Sequence, residues 1–189
     1  DQVIEELNIP SILQDNYNGA RQAVQYLIEN GHRRIACIAA PYSDPEGERR
    51  YEAFVDTMKE HNLPVEKRYI RQGLYSIESG CKEMEKLLAE PEKPTAVFTA
   101  NDNMAIGAIN CIIKHGLKVP DDISVIGFDD ILIARHFNPA LTTVRQDQMA
   151  VGTAAAELML EYIETKRVRV KKVILTQELV IRDSVKKIG

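Results

Sequence analysis

The sequence predicts an α/β protein built on a mostly parallel sheet, and three observations carry that prediction. Short apolar runs rich in β-branched or aromatic residues (Ile35-Ala-Cys-Ile-Ala-Ala40, Ala96-Val-Phe-Thr99, Ile123-Ser-Val-Ile-Gly-Phe128) alternate with amphipathic helical stripes. Runs apolar on both sides suit strands covered on both faces. Successive runs lie roughly thirty residues apart, the length of a βα unit. Glycine and proline fall where helices should stop and start.

The elements follow in order. Residues 3–7 read as the tail of a helix leading into a strand at 10–14. Ala20, Ala23, Val24, Leu27 and Ile28 share one helical face, ended by Gly31, where a helix C-terminus needs a positive φ. The strand at 35–40 follows, then Asp44-Pro45, an N-cap with proline in the first turn. Tyr51, Phe54, Val55 and Met58 form the next stripe, before a short strand at 69–71. Ile77, Cys81, Met84 and Leu88 mark a third helix, closed by Pro91 and Pro94 ahead of the strand at 96–99. Residues 104–113 form a helix that is apolar on nearly every face. Gly116 and Pro120 turn the chain into 123–128, and 142–144 form a further strand. Val151, Ala155, Leu158, Met159 and Tyr162 stripe a last helix, and 172–181 read as one final strand. A parallel unit needs a strand before its first helix and none precedes residue 3, so the chain is expected to be a fragment whose opening units lie upstream.

A length of 189 residues permits one large domain or two small ones. No apolar run reaches the ~18 residues that span a bilayer, and residues 1–6 lack the basic and apolar regions of a signal peptide. With 24 basic against 28 acidic residues, bulk charge does not favour nucleic acid. Cys37, Cys81 and Cys111 are odd in number and widely spaced, as expected of reduced thiols on apolar faces.

In an open α/β sheet, ligands sit beyond the carboxyl ends of the strands. Those positions hold Asp15, Asn16 and Asn18; Tyr42, Asp44, Arg49 and Arg50; Tyr75 and Ser76; Asn101, Asp102 and Asn103; Asp129 and Asp130; and Arg145, Gln146 and Asp147. An arginine, an aromatic ring, carboxamides and carboxylates are what a small polyhydroxylated ligand requires, since its hydroxyls are costly to bury unpaired. Simpler roles compete. Asp44, Asn18 and Ser76 suit helix caps, Arg49 and Arg50 could be solvated helix charges, and Tyr75 could be packing. Asp102, Asp129 and Asp130 could form a magnesium site, as in phosphotransfer proteins. Phosphate-loop, dinucleotide-binding, nucleophile-elbow and zinc-helix motifs are absent, and no cofactor or metal is expected. His32, His61, His115 and His136 are scattered near helix ends. The basic run Lys166-Arg-Val-Arg-Val-Lys-Lys172 resembles a nucleic-acid patch, but its charges alternate with valine and it reads as a solvated helix end and polar strand edge. A helix apolar all round needs cover on more than one side. Ile106 and Ile109, with Ile133 and Phe137 from a second apolar stretch, are therefore expected to form a homodimer interface; the rival reading packs both stretches against the chain's own lobe.

These residues also form an ordered series: Gly31-His-Arg-Arg-Ile-Ala36, Arg50-x-x-Ala-Phe54, Pro94-Thr-Ala-Val-Phe-Thr-Ala-Asn-Asp102, Met104-Ala-Ile-Gly107, Val119-Pro-Asp-Asp-Ile-Ser-Val-Ile-Gly-Phe-Asp-Asp130, Asn138-Pro-Ala-Leu-Thr-Thr-Val-Arg-Gln146 and Glu178-Leu-Val-Ile-Arg182. The series resembles the effector-binding core of the lac-repressor (LacI/GalR) family of bacterial transcription regulators, over about residues 15–183. The resemblance implies a periplasmic-binding-protein-like fold of two Rossmann-like lobes joined by three crossovers, with a small effector between them. It implies effector contacts from Arg50, Asn101, Asp129 and Gln146, with Tyr75 as the stacking ring. Ala53 departs from the family's glycine, and Gln148 stands where some members carry an aromatic. The lobes are expected to be residues 1–62 with 147–165, an incomplete N-terminal lobe, and 63–141 with 166–189, the C-terminal lobe.

The function expected from the resemblance is that of a cytoplasmic, dimeric, non-enzymatic regulator core. Its ligand, a sugar or related metabolite, would control operator affinity through an N-terminal helix-turn-helix absent from this chain. The alternative is a transport-associated periplasmic sugar-binding protein of the same fold. A magnesium-dependent phosphotransfer enzyme is a third reading, and it rests on the aspartates alone.

Overall fold

The computed structural model describes residues 10–165 and 172–188. The expected helix at 3–7 and the basic run up to residue 171 lie outside the described residues. The chain runs β1 (Ser11–Gln14), α1 (Asn16–Glu29), β2 (Ile35–Ala39), α2 (Pro45–Glu60), β3 (Ile70–Gln72), α3 (Ile77–Leu88), β4 (Ala96–Thr99) and α4 (Asp102–Lys114). It continues with β5 (Ser124–Asp129), β6 (Thr142–Arg145), α5 (Gln148–Thr165), β7 (Lys172–Leu175) and β8 (Glu178–Val180).

Six strands make the main sheet in the order β3-β2-β4-β5-β6-β8. All pairings in it are parallel except β6 with β8. Every residue of β2 is buried because helices cover both faces. Ala36 and Ile38 point to a core shared with Met84, Met104, Ile109 and Val125. Ile35 and Cys37 point to the opposite core, with Val24, Leu27, Phe54 and Ile126. This is the two-sided burial that a continuous apolar run encodes. The second sheet is small: among the described residues, β1 pairs in parallel with β7 alone.

Sheet pairing draws the lobe division elsewhere than expected. β2 bonds directly to β3 and β4, and α1 and α2 share the core of Phe98, Ile126 and Phe128. Residues 16–62 thus belong with the main sheet, and β1, α5 and β7 stand apart from it. Sequence reading divided the lobes by chain order, whereas parallel sheets interleave their strands through crossovers. The expected single strand at 172–181 is likewise two. β7 joins β1, the chain breaks at Thr176 and Gln177, and β8 joins β6 in the other sheet.

The all-round apolar character of α4 is explained within the chain. The sheet covers one side, and α3 crosses closely on the other. At Gly107 an added Cβ would lie 2.0 Å from the Ile77 carbonyl oxygen, and at Gly80 2.2 Å from that of Met104. Ile106 and Ile109 are 4% and 0% exposed, so the expected interface role of these two isoleucines is corrected: they are covered by the chain's own helices. Ile133 is half-exposed, while Phe137 packs against the core beneath it.

The capping signals resolve cleanly. Gly31 and Gly116 adopt φ values of 92° and 76°, as their places after helices require. Asp44 caps α2 with Pro45 in the first turn. Ser76 caps α3 in a reciprocal box with Ser79. Asp15, not Asn18, caps α1, its side chain accepting from the Asn18 N–H.

Candidate functional site

Strand order places the site. After β2 the chain moves outward to β3, then returns across β2 to β4, so neighbouring crossovers leave in opposite directions and open a crevice at the strand ends. A cavity of about 740 Å³ lies there, lined by Asn16, Asp44, Glu46, Arg50, Tyr75, Asn101, Asp129, Asp130, Ile131, Leu132, Gln146 and Gln148. These residues come from the ends of β1 through β6, and all five predicted effector contacts are among them.

Arg50, on the second turn of α2, is 7% exposed. Its Nε donates to Asn16 Oδ1 at 2.9 Å and its Nη1 to the Ala100 carbonyl at 2.5 Å. The guanidinium lies 3.9 Å from the centroid of the Phe128 ring and 3.6 Å from Asp129 Oδ1. Those contacts fix its plane, so the solvated-charge reading does not hold for Arg50. It does hold for Arg49, an exposed partner of Glu52.

Asp129 ends β5 at φ 115°. Its Oδ1 accepts from Gln146 Nε2 at 2.9 Å. Burial pushes its carboxyl up to about 6, against the opposing pull of Arg50. Tyr75 sits at φ 61°, a left-handed conformation uncommon outside glycine, and its hydroxyl donates to Asp44 Oδ2. Burial and that carboxylate raise the phenol, which therefore remains a donor. Asn101 spends both ends of its amide. Oδ1 caps α4 at Met104 N–H, 3.0 Å away, and Nδ2 donates to the Tyr75 carbonyl at 3.2 Å. Asn101 thus holds the Tyr75 loop against the start of α4.

Two residues of the cavity lining have roles that the sequence did not single out. Asn16 appeared among the strand-end residues, yet nothing marked its amide as the link between Arg50 and Glu46, whose Oε2 accepts from Asn16 Nδ2 at 2.5 Å. Glu46 itself carried no signal beyond its place two residues after a helix cap.

The three aspartates proposed for magnesium do not converge. Asp102 is fully buried and accepts from the Thr143 hydroxyl at 2.5 Å and the Ile131 N–H at 2.8 Å. Burial pushes its carboxyl up to about 7, opposed by those two hydrogen bonds. Asp130 is clamped by Arg145 at 2.8 Å and Arg182 at 2.5 Å. Asp129 alone of the three faces Arg50. Cys37 and Cys111 are buried and Cys81 is half-buried, all as free thiols. His32 is buried between Thr95 Oγ1 and the Lys186 carbonyl. Among the described residues, no helix is long and apolar enough to cross a membrane.

Residues 24–185 match the family model of the periplasmic binding protein-like domain. Among curated proteins, the chain is 39% identical over 185 residues to the probable HTH-type transcriptional repressor ExuR of Bacillus subtilis, covering 98% of this chain and 56% of that protein. It is 43% identical over 176 residues to the HTH-type transcriptional repressor PurR of Histophilus somni, covering 93% and 53%. The chain therefore spans about half the length of these relatives. Among solved structures, a cellobiose complex of the transcriptional regulator CelR superposes with a TM-score of 0.87 at 32% identity, covering 94% of this chain and 54% of that one. A dimeric Lac repressor with a C-terminal deletion gives 0.88 at 31% identity, covering 96% and 65%.

Proposed function

Because the chain belongs to the periplasmic binding protein-like domain family, in the form that serves LacI/GalR repressors as an effector-binding core, we propose that it binds a small hydroxylated metabolite in the Arg50–Asp129 cavity and thereby sets the operator affinity of a cytoplasmic transcriptional repressor. One observation supports this above the rest: six strand ends deliver Asn16, Arg50, Tyr75, Asn101, Asp129 and Gln146 to one cavity. In this reading Asp129 accepts from ligand hydroxyls, Gln146 and Asn16 orient Asp129 and Arg50, and Tyr75 offers its ring. Asn101 acts mainly by positioning Tyr75.

The role is binding and signalling, not catalysis. A ligand shifts the equilibrium between two interlobe angles only by its differential affinity for them, and a hundredfold difference is worth about 2.7 kcal/mol. The three crossovers that join β1, α5 and β7 to the main sheet are the natural hinge, and DNA contact belongs to a helix-turn-helix outside this chain. In this reading the repressor works as a dimer, and of the four residues expected at its interface Ile133 is the exposed one.

The test is made in the full-length protein, with an effector first found by a thermal-shift screen of sugars and nucleosides. Asp129→Ala is expected to leave operator binding intact and to raise the ligand concentration needed for a response by roughly a hundredfold, the loss of a charge-assisted buried contact. A variant that responds at the wild-type ligand concentration sinks the site assignment.

A further inference from the structure

Three segments cross between the small unit of β1, β7 and α5 and the main sheet, and each carries a glutamine. Gln14 stands where β1 gives way to α1, Gln146 between β6 and α5, and Gln177 between β7 and β8. Gln146 is paired, its Nε2 donating to Asp129 Oδ1. Gln14 and Gln177 are only 6% and 7% exposed, and among the described residues no hydrogen-bond partner meets the Nε2 or Oε1 of either. Buried polar side chains are satisfied in the large majority of cases. Two whole carboxamides without partners, both at crossovers, therefore require a cause.

The two glutamines are fixed to different bodies. Gln177 rides with the main sheet: Gln22 Nε2 donates to its carbonyl at 3.1 Å, and its amide is seated against α1. A Cβ added at Gly19 would lie 2.2 Å from Gln177 Oε1 and 3.0 Å from Val144 Cγ1, so the glycine leaves the amide its seat. Gln14 rides with the small sheet, level with Leu175 in the parallel ladder. Gln177 follows Leu175 by two residues, so a rotation of one unit against the other changes the separation of the two amides. Each amide brings both a donor and an acceptor, and two amides can satisfy each other.

Resting on the effector-binding reading above, which gives the core two interlobe angles, we propose that Gln14 and Gln177 are the latch of its hinge. They are unpartnered at the angle described and hydrogen-bond to each other at the second angle. A buried amide without partners disfavours its state by about tenfold in population. Two of them compound to about a hundredfold, as much as the differential affinity by which an effector would shift the same equilibrium. The latch thus sets the resting balance of the two angles and how far an effector must push it.

The experiment reads the interlobe distance by double electron–electron resonance in the intact protein without ligand. Spin labels are placed at Lys82→Cys on α3 and Glu157→Cys on α5, both exposed positions. A Cys81→Ser background removes the half-buried free thiol, and labelled subunits are diluted into unlabelled ones. Gln14→Leu or Gln177→Leu alone breaks the pair. Each is expected to move the population ratio at least about tenfold toward the angle described, and the double variant no further. The urea midpoint is expected at or above the wild-type value, because a buried leucine needs no partner. Gln177→Met, unbranched like glutamine, is expected to act in the same way and replaces a leucine variant that does not fold. Two distances in a ratio that stays unmoved, or moves away from the angle described, overturn the latch and leave the two-angle mechanism intact. A double variant that shifts the ratio well beyond either single one overturns the pairing. One identical distance in wild type and every variant overturns the two-angle mechanism, and the latch with it.

Discussion

Asp102 and Asp129 illustrate how one cause yields different uses. Burial raises both carboxyls, to about 7 and about 6 respectively, but Asp129 opens onto the cavity whereas Asp102 is sealed in the first turn of α4. An acid whose value rises on folding binds its proton more tightly in the native state. Its contribution to stability is then largest below the unfolded value of 3.8, declines as pH rises through the folded value, and is level above it. Between about pH 4 and pH 7, Asp102 should cost the fold up to about 1.4 kcal/mol per pH unit, read from denaturant midpoints at successive pH values. Asp102→Asn should flatten that stretch, because the amide does not titrate and can still accept from the Ile131 N–H while donating to the Thr143 hydroxyl, which accepts as well as donates. A slope that survives the substitution assigns the titration elsewhere. At this scale the sequence was readable where position alone predicts chemistry. Arg50, Tyr75, Asn101, Asp129 and Gln146 stand after strands, and the fold brings them together. It was silent on how they bond. That Asn101 is a cap and a loop tether, and that Asn16 joins Arg50 to Glu46, depends on side-chain directions that spacing does not encode.

Helix α4 shows the same limit for elements. Its sequence demanded cover on every side, but hydrophobicity has no address, and the expected partner subunit gives way to the neighbouring helix α3. Gly80 and Gly107 held the deciding clue. They face each other where α3 and α4 cross, leaving no room for a side chain. Gly107→Ala would place a methyl 2.0 Å from the Ile77 carbonyl oxygen and 2.8 Å from the Cys81 nitrogen, both of them backbone. The helices must separate to admit it, for a cost of about 1–3 kcal/mol in chemical denaturation; an unchanged midpoint would mean the crossing is looser than described. The break at Thr176 and Gln177 was similarly hidden, since residues on both sides of it favour strand and only pairing partners distinguish β7 from β8.

Among the described residues, a large, doubly covered sheet is joined to a small unit of β1, β7 and α5 that they leave sparsely covered. The α/β class and parallel order were legible because covered strands advertise themselves as apolar runs. The division between lobes was not, because a chain that crosses between sheets and returns leaves no compositional mark. The appendage consists of β1, β7 and α5, and no residue of α5 is buried, although Met149, Met159 and Leu160 are exposed on it. In contrast, β2 and β4 are buried throughout. Each buried aliphatic side chain supplies roughly 1.5–3 kcal/mol, while a helix of α5's length without such packing is marginal in water. Among the described residues, burial is therefore concentrated in the six-stranded sheet. Native-state hydrogen exchange should read that directly. Amides of β2, β4 and β5 should exchange only by global unfolding, and those of α5, β1 and β7 by a local opening on the order of a hundredfold more frequent. Equal protection in the two groups would require the appendage and the main sheet to unfold as one cooperative unit, contrary to the burial that separates them.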